Sequence, residues 1–416
     1  MRIIADFHIH SKYSRATSQK MDLDGISRGA KLKGLNLVGT GDFTHPLWLK
    51  ELKSKLREKD FGIYEYKGIN FILTTEVNTD FEFEGKIRRV HHVIHAPSFE
   101  IVEQINEALS KFGDLTKDGR PTLKISAPEL VEILMQISKD IFIYPAHAWT
   151  PHFGIFGSRV GFSSIEECYQ DMSKYIYALE TGLSSDPPMN WRLSKLDKYT
   201  LISNSDSHSP HTWRIGREAN FFELKKLDYK ELHKVIKKKD PKKFLFTLEV
   251  DPNYGKYHYT GHRNCGVCLH PKEAMKLNNI CPVCGKKLTI GVLQRVEELA
   301  DREEGFRPKN SIDFKTLLPL YELISHVTGI KQLYSEKVLR IHDSLIKKFG
   351  NELRILLEVK REELEKFGDK RLVDLIMKNR EGKIKIRPGY DGVYGEIVEE
   401  FKEQKSPQSS LSDFLK

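Results

Sequence analysis

The feature that most limits how this chain can fold is where its metal-ligating side chains fall. His8 and His10, Asp42 and His45, Glu76, His91 and His92, His147, and Asp206 with His208 each close or follow an apolar run of strand character. Side chains at i and i+2 of a strand project from one face, so His8/His10 and Asp206/His208 offer paired ligands. A lone histidine in a strand is ordinarily a packed or surface residue. The same coincidence at strand after strand points instead to convergence. Imidazole with carboxylate is the donor set that suits zinc, manganese or iron, so the expectation is a multinuclear metal site built from strand ends.

Those runs alternate with amphipathic ones. Strands are expected at 3–10, 35–42, 69–78, 90–96, 141–148, 175–181, 200–206 and 244–250, and helices at 25–33, 46–57, 101–112 and 127–138. Alternation of this kind predicts an α/β fold with parallel strands and crossover helices over residues 1–250. A closed barrel gathers ligands from the carboxyl ends of several strands better than an open sheet does.

Beyond residue 250 the character changes. Residues 251–290 are rich in turns and hold Cys265, Cys268, Cys281 and Cys284 in two CxxC pairs, a spacing that predicts a structural zinc site. So small a module buries too little surface to fold without its ion. Cys168, outside this set, is expected to be a buried small residue. Residues 291–400 are helical and charged, and 349–368 resembles a helix-hairpin-helix DNA-binding element, with a plain charged bundle as the other reading. Residues 401–416 form a polar tail in which Gln408, Leu411, Phe414 and Leu415 have the spacing of peptides that dock on sliding clamps of the proliferating-cell nuclear antigen type.

An excess of 67 Lys+Arg over 58 Asp+Glu gives a formal charge of +9, which favours a polyanionic partner. A charged fraction of 30% also suits a heat-adapted protein. No apolar run approaches the roughly 18 residues of a membrane span, and Arg2-Ile3-Ile4-Ala5 enters a strand directly, so a soluble, cytoplasmic and nucleoid-associated protein is expected.

The order His8-x-His10, a ligand after the second strand, Glu76, His92, His147 and Asp206-x-His208 resembles the polymerase and histidinol phosphatase (PHP) superfamily over residues 1–250. The resemblance implies a distorted (βα)7 barrel holding two or three divalent ions, zinc, manganese or magnesium, for phosphoester hydrolysis. Its implied ligands are His8, His10, Asp42 or His45, Glu76, His92, His147, Asp206 and His208, with Glu76 bridging and Glu76, His147 and Asp206 at the catalytic centre. Two departures stand out: Thr40-Gly41-Asp42 replaces the usual Thr-Asp-His, and Ser14-Arg15-Ala16 stands where an acidic residue is common. The barrel, zinc module, helical segment and tail together resemble the archaeal endonuclease Q family. That likeness implies nicking on the 5′ side of uracil, hypoxanthine, xanthine and abasic sites in DNA, leaving a 3′ hydroxyl and a 5′ phosphate.

An enzyme working on an altered base must take it out of the stack. Aromatic and basic residues on the loops beside the ligands are the candidates for DNA contact: Arg15, Trp149, Phe153, Trp213, Arg214 and Arg217. A phosphatase for small monoesters, or a DNA-binding scaffold with a degenerate metal site, remains the alternative.

Overall fold

Residues 1–398 are described by the structure, a computed structural model; the tail residues Gln408, Leu411, Phe414 and Leu415 lie outside the described residues. Strand β1 (Arg2–Asp6) pairs in parallel with β2 (Leu37–Gly39), and β2 with β3 (Ile69–Phe83). Next, β3 pairs antiparallel with β4 (Lys86–Ala96), and β4 antiparallel with β5 (Phe142–Pro145). Past β5, the Ala148 N–H donates to the Glu180 carbonyl at 2.9 Å, leading to β6 (Ala178–Glu180), which pairs in parallel with β7 (Thr200–Ile202). A parallel bridge between Ile9 and Ser207 returns this path to the continuation of β1. On the other side of β1 follow β8 (Ala219–Glu223) and β9 (Phe244–Glu249), both antiparallel, then β10 (Asp313–Thr316), parallel to β9.

The fold is therefore mixed α/β with a largely parallel centre, and β4 and β8 break the parallel pattern. The reason at β4 is local. Glu84 and Gly85 have φ of 50° and 71°, the left-handed pair of a two-residue hairpin turn, so the chain reverses without a crossover helix. The segment 291–400, expected to be helical, contains β10, which joins the main sheet instead.

Alternation along the strands produces two apolar layers. One joins Ala5, Phe7, Leu37, Ile72, Val93, Tyr144, Ala178 and Ile202; the other joins Val38, Phe71, Leu73, Ile94, Ile143 and Leu179 to the buried faces of the helices. Those helices are α1 (Leu23–Lys33), α2 (Pro46–Lys55), α3 (Phe99–Leu109) and α4 (Ala127–Ile137). Their starts follow the sequence: Asp22 and Ser98 accept backbone N–H bonds as N-caps, and Ser126 with Glu129 forms a capping box.

A second helical group comprises α5 (Leu320–Thr328), α6 (Glu336–Phe349), α7 (Glu352–Leu357) and α8 (Lys370–Arg380). It is locked to the strand-bearing half by a buried ion pair. Lys33 Nζ lies 2.8 Å from Glu352 Oε1 and donates to the Thr212 carbonyl at 2.9 Å, while His342 Nε2 faces Glu352 Oε2 at 3.3 Å. Cutting one partner of such a pair strands a buried charge, a loss of about 3–5 kcal/mol. Among the described residues no helix is long and apolar enough to cross a membrane.

Candidate metal centre and neighbouring loops

Glu76, in the middle of β3, carries one donor group on each oxygen. Its Oε2 lies 3.5 Å from His8 Nε2 and 3.2 Å from His10 Nε2, with Asp206 Oδ1 3.1 Å from His10 Nε2. Its Oε1 lies 2.7 Å from His91 Nδ1 and 3.1 Å from His147 Nε2. Two clusters result, His8/His10/Glu76/Asp206 and Glu76/His91/His147, each with its ligand atoms within 4.8 Å of one another.

The side chains are aimed by neighbours. His8 Nδ1–H donates to Glu180 Oε2 at 2.9 Å, and Glu180 also takes the His147 N–H at 2.7 Å and the Asn204 amide at 2.8 Å. His10 Nδ1–H donates to Asp42 Oδ1 at 3.0 Å, and Asp42 Oδ2 is held by the Ser11 N–H at 2.6 Å and the Ser14 hydroxyl at 2.9 Å. With the δ protons committed, the ε nitrogens of His8 and His10 point lone pairs at carboxylate oxygens. His8 Nε2 is buried with no hydrogen-bond partner. Acceptors facing acceptors are repelled unless a cation lies between them, and this donor arrangement fits divalent ions on both sides of Glu76.

Electrostatics agree. Burial pushes His8 down, but Glu180, Glu76 and Asp206 outweigh it and hold the imidazole well above its usual value; His10 behaves likewise with Asp42 and Asp206. Burial favours a neutral Glu76, yet His91, Arg120 and His8 keep its carboxyl well below the ordinary range. The pocket thus attracts positive charge, which a divalent ion supplies. Asp42, His147 and Asp206 sit at left-handed φ of 49°, 29° and 47°, strain that non-glycine residues bear where the fold overdetermines it.

Several expected site residues lie elsewhere. His92 is a correction: it neighbours His91 in β4 and so faces the opposite way, bonding Tyr169 OH at 2.7 Å and Thr79 Oγ1 at 2.9 Å. Burial pushes it down to about 3. His45 donates to the Thr116 carbonyl at 3.1 Å and stacks on Tyr13, outside both clusters. Asp42 stands behind His10. His208 approaches His10, ring centroids 4.5 Å apart, without joining either cluster. Trp149 is 1% exposed and donates to Asn190 Oδ1 at 2.8 Å, so it packs a loop rather than facing DNA. Phe153 stacks on His91 at 4.3 Å, Arg15 is exposed beside Asp118, and Arg217 donates to the Ser205 carbonyl at 3.0 Å. Two participants escaped the sequence reading, Glu180 and Arg120, whose Nη1 lies 3.2 Å from Glu76 Oε2; His91 was named there beside His92 but left out of the implied ligand set.

In the cysteine module, Cys265, Cys281 and Cys284 gather with His262, whose Nδ1 is 3.4 Å from Cys284 Sγ. Cys268 is the second correction. It lies in the strand Val267–Leu269, whose flanking residues Val267 and Leu269 turn inward, so its Sγ faces away, 4.0 Å from the Pro388 carbonyl. Three thiolates and an imidazole remain a fitting set for zinc.

Residues 319–383 match the family described as the MJ0043 C-terminal domain. The chain is similar to the crystal structure of the lesion-specific endonuclease PfuEndoQ from Pyrococcus furiosus, at 35% identity and TM-score 0.87, over 99% of this chain and 98% of that one. It is also similar to an endonuclease Q complexed with a 27-mer duplex bearing an abasic lesion at the active site, at 36% identity and TM-score 0.85, over 95% and 96% of the two chains. An uncharacterised protein of Bacillus subtilis strain 168, YqxK, is 29% identical over 95% of this chain and 99% of its own length. Fold, donor clusters and likeness define the class, a hydrolase of the endonuclease type with sites for divalent metal ions. Within that class the chain belongs to the endonuclease Q family.

Proposed function

We propose that this protein is a metal-dependent DNA repair endonuclease that hydrolyses the phosphodiester 5′ to deaminated bases, uracil, hypoxanthine or xanthine, and to abasic sites. One observation carries the reading: the two oxygens of Glu76 address separate groups of imidazole and carboxylate donors. Divalent ions bound there provide a nucleophile near neutral pH and charge for both the attacking and the leaving oxygen of a phosphodiester.

The chain's own residues do the remainder. His8, His10 and Asp206 would hold one ion and His91 and His147 another, with Glu76 offering one oxygen to each group. Glu180 and Asp42 keep the δ protons off the metal-facing nitrogens. Arg120, partly exposed, meets a phosphate oxygen beside the cluster. His208 donates Nδ1–H to the Asp206 carbonyl at 3.0 Å beside His10, which leaves its Nε2 as a donor that would serve as a further ligand.

The strand circuit supports reading residues 1–250 as the (βα)7 PHP barrel. The cysteine module takes one structural zinc. The tail residues Gln408, Leu411, Phe414 and Leu415 dock on a sliding clamp, consistent with a cytoplasmic, nucleoid-associated enzyme. Purified protein with manganese or magnesium, incubated with a labelled duplex carrying one uracil, an unmodified duplex and a phosphate monoester, is the test. A single nick 5′ to uracil is expected. Release of phosphate from the monoester without nicking, or DNA binding without turnover, overturns the reading.

A further inference from the structure

Residues 225–243 hold nine lysines against three acidic side chains, a surplus of six in a chain whose whole surplus is nine. They lie on and beside the helix Tyr229–Lys238, whose buried face, Leu232, Val235 and Ile236, closes one end of the apolar layer that contains Phe7, Tyr144 and Ala178. The Tyr229 hydroxyl, 3.0 Å from the His95 carbonyl and 2.9 Å from that of Asp140, fixes the helix in place. This is the end of the strands remote from the metal centre. Lys237 Nζ lies 5.9 Å from the ring of Phe142, the first residue of β5, and the ligand His147 comes five residues later, as much as about 16 Å away along an extended chain. The residues expected to meet substrate, Arg15, Phe153, Arg214 and Trp213, the last stacked on His211 at 4.1 Å, are on loops that follow the ligands at the other end.

Most of this charge is unneutralised. Lys226, Lys230 and Lys243 reach the carboxylates of Asp60, Asp140 and Glu231, and Lys239 donates to the Asp197 carbonyl at 2.9 Å. Lys225, Lys234, Lys237, Lys238 and Lys242 have no carboxylate within ion-pair distance among the described residues. Two further lysines join them from the segments that enter β5 and β6. Lys139 Nζ and Lys174 Nζ lie 4.8 and 5.4 Å from the ring centroid of Tyr175, and Lys237 Nζ lies 4.8 Å from that of Tyr177. An aromatic face holds an ammonium without cancelling its charge. A depression of about 250 Å³ lies among Asp140, Lys230, Lys234, Lys237 and Lys238.

A solvated helix face ordinarily mixes signs, so that residues four apart attract. Here Lys230, Lys234 and Lys238 follow one another at that spacing with like charge, which works against the helix. The helix dipole favours lysine in the last turn, which accounts for Lys237 and Lys238 but not for Lys230 and Lys234. Four residues of helix advance about 6 Å, comparable to the step between successive phosphates of a nucleic-acid strand. A row of ammonium groups at that pitch addresses a backbone rather than base edges, so it is indifferent to sequence and to lesions.

We propose that this lysine face is a second nucleic-acid site, which takes the phosphate backbone of a duplex segment other than the one at the metal centre. One protein molecule then touches two segments of DNA and passes between them without leaving both. The proposal goes beyond the endonuclease reading, and the surface stands without it.

Bridging of two duplexes is the test. An abasic duplex with a donor dye and an unmodified duplex with an acceptor dye are mixed with full-length Asp206→Ala protein, so that the abasic strand stays uncut. Energy transfer between the dyes is expected, with an affinity for the unmodified duplex that falls steeply with salt. With Lys234→Ala, Lys237→Ala and Lys238→Ala combined, that affinity is expected to fall on the order of 10²-fold, and its slope against log salt to become shallower by about two to three, because three phosphate contacts are lost. With Asp206 restored, the triple variant is expected to nick the abasic duplex at the parent's rate, which shows that it is folded. Absence of transfer while the abasic duplex is bound, or transfer unchanged by the triple substitution, overturns the second site and leaves the endonuclease reading untouched. An abasic duplex left intact by protein with Asp206, while the unmodified duplex is still held through the three lysines, overturns the endonuclease reading and supports this surface.

Discussion

Among the described residues two regions gather metal-ligating side chains, and they are built in opposite ways. Around Glu76 the ligands are buried, with His8 1%, His10 0% and Glu76 1% exposed, and the His8 and His10 imidazoles are each aimed by a further carboxylate in the protein. In the cysteine module Cys284 is exposed, and the local core is only Val267, Leu269, Ala274, Cys281 and Leu288. The first set sits in a scaffold whose packing fixes its geometry whether or not an ion is bound. The second must draw much of its geometry from the ion. On the proposed reading, burial separates a centre whose metal would serve chemistry from one whose metal would serve folding.

The largest effect expected from this contrast is on nicking. Glu76→Gln or Asp206→Ala removes a donor from the charge-bearing cluster and is expected to lower single-turnover cleavage on the order of 10³-fold or more, with the circular dichroism spectrum retained. If the strand-bearing half unfolds instead, the centre is not preformed and the contrast breaks.

Next comes the module. Cys265→Ser and His262→Ala are expected to release its zinc and expose residues 260–290 to amide hydrogen exchange, while the exchange of β1, β3 and β4 stays as it was. Cys268→Ser is expected to retain the zinc, since its sulfur faces Pro388 rather than the cluster. Zinc content measured on the purified variants decides between His262 and Cys268 as the fourth ligand.

Sequence carried much of this, and the failures are informative. The helix positions followed from periodicity because each helix has one buried face, and the strands followed from apolar runs buried on both faces; the recurrence of ligand residues from strand to strand was itself visible in the sequence. What escaped was parity. His91 and His92 are adjacent in a strand, so composition does not say which one faces Glu76. The hairpin does: Glu84-Gly85 closes Phe83 onto Lys86, and counting back pairs Glu76 with Val93 and Asn78 with His91. Odd residues of β4 therefore share the face of Glu76. The Glu-Gly turn was visible in the sequence, but reading 69–78 and 90–96 as separate strands hid it. Cys268 failed for the same reason, a two-residue alternation masked by a familiar spacing. Glu180 gave no signal of its own, since a carboxylate after a short apolar run is common, and only the fold brings it to His8.

Glu180 offers a smaller, sharper test of preformation. If protein partners aim the ligands, then Glu180→Gln, which keeps the shape and loses the charged acceptor for His8 Nδ1–H, is expected to weaken metal binding or cleavage about 10–100-fold without unfolding the protein. Metal titration of nicking separates the two contributions, because weakened binding is recovered at high manganese. An effect under about twofold would mean that the ion, not Glu180, orients His8, as in the cysteine module.

The smallest effect concerns what lies beneath the centre. His233 Nδ1–H donates to the Tyr229 carbonyl at 2.8 Å, and His95 Nδ1–H donates to His233 Nε2 at 2.9 Å. The Tyr144 hydroxyl donates to His95 Nε2 at 3.2 Å and accepts from Asn204 at 3.4 Å, and Asn204 supports Glu180. Every donor in this chain meets an acceptor only while both histidines are neutral. Burial accordingly pushes His233 from 6.5 down to about 3, and His95 well below its usual value. The unfolded chain takes up these protons first as the pH falls, so the stability that the neutral histidines contribute is full above about 6.5 and is lost progressively toward pH 3. Between pH 7 and 5.5, His233 alone accounts for a loss of about 1 kcal/mol, read as a lower urea midpoint. His233→Leu is expected to reduce that pH dependence even if it is less stable overall. If the variant titrates like the parent, the support beneath Glu180 is not the neutral chain, and the preformed character of the centre must come from packing alone.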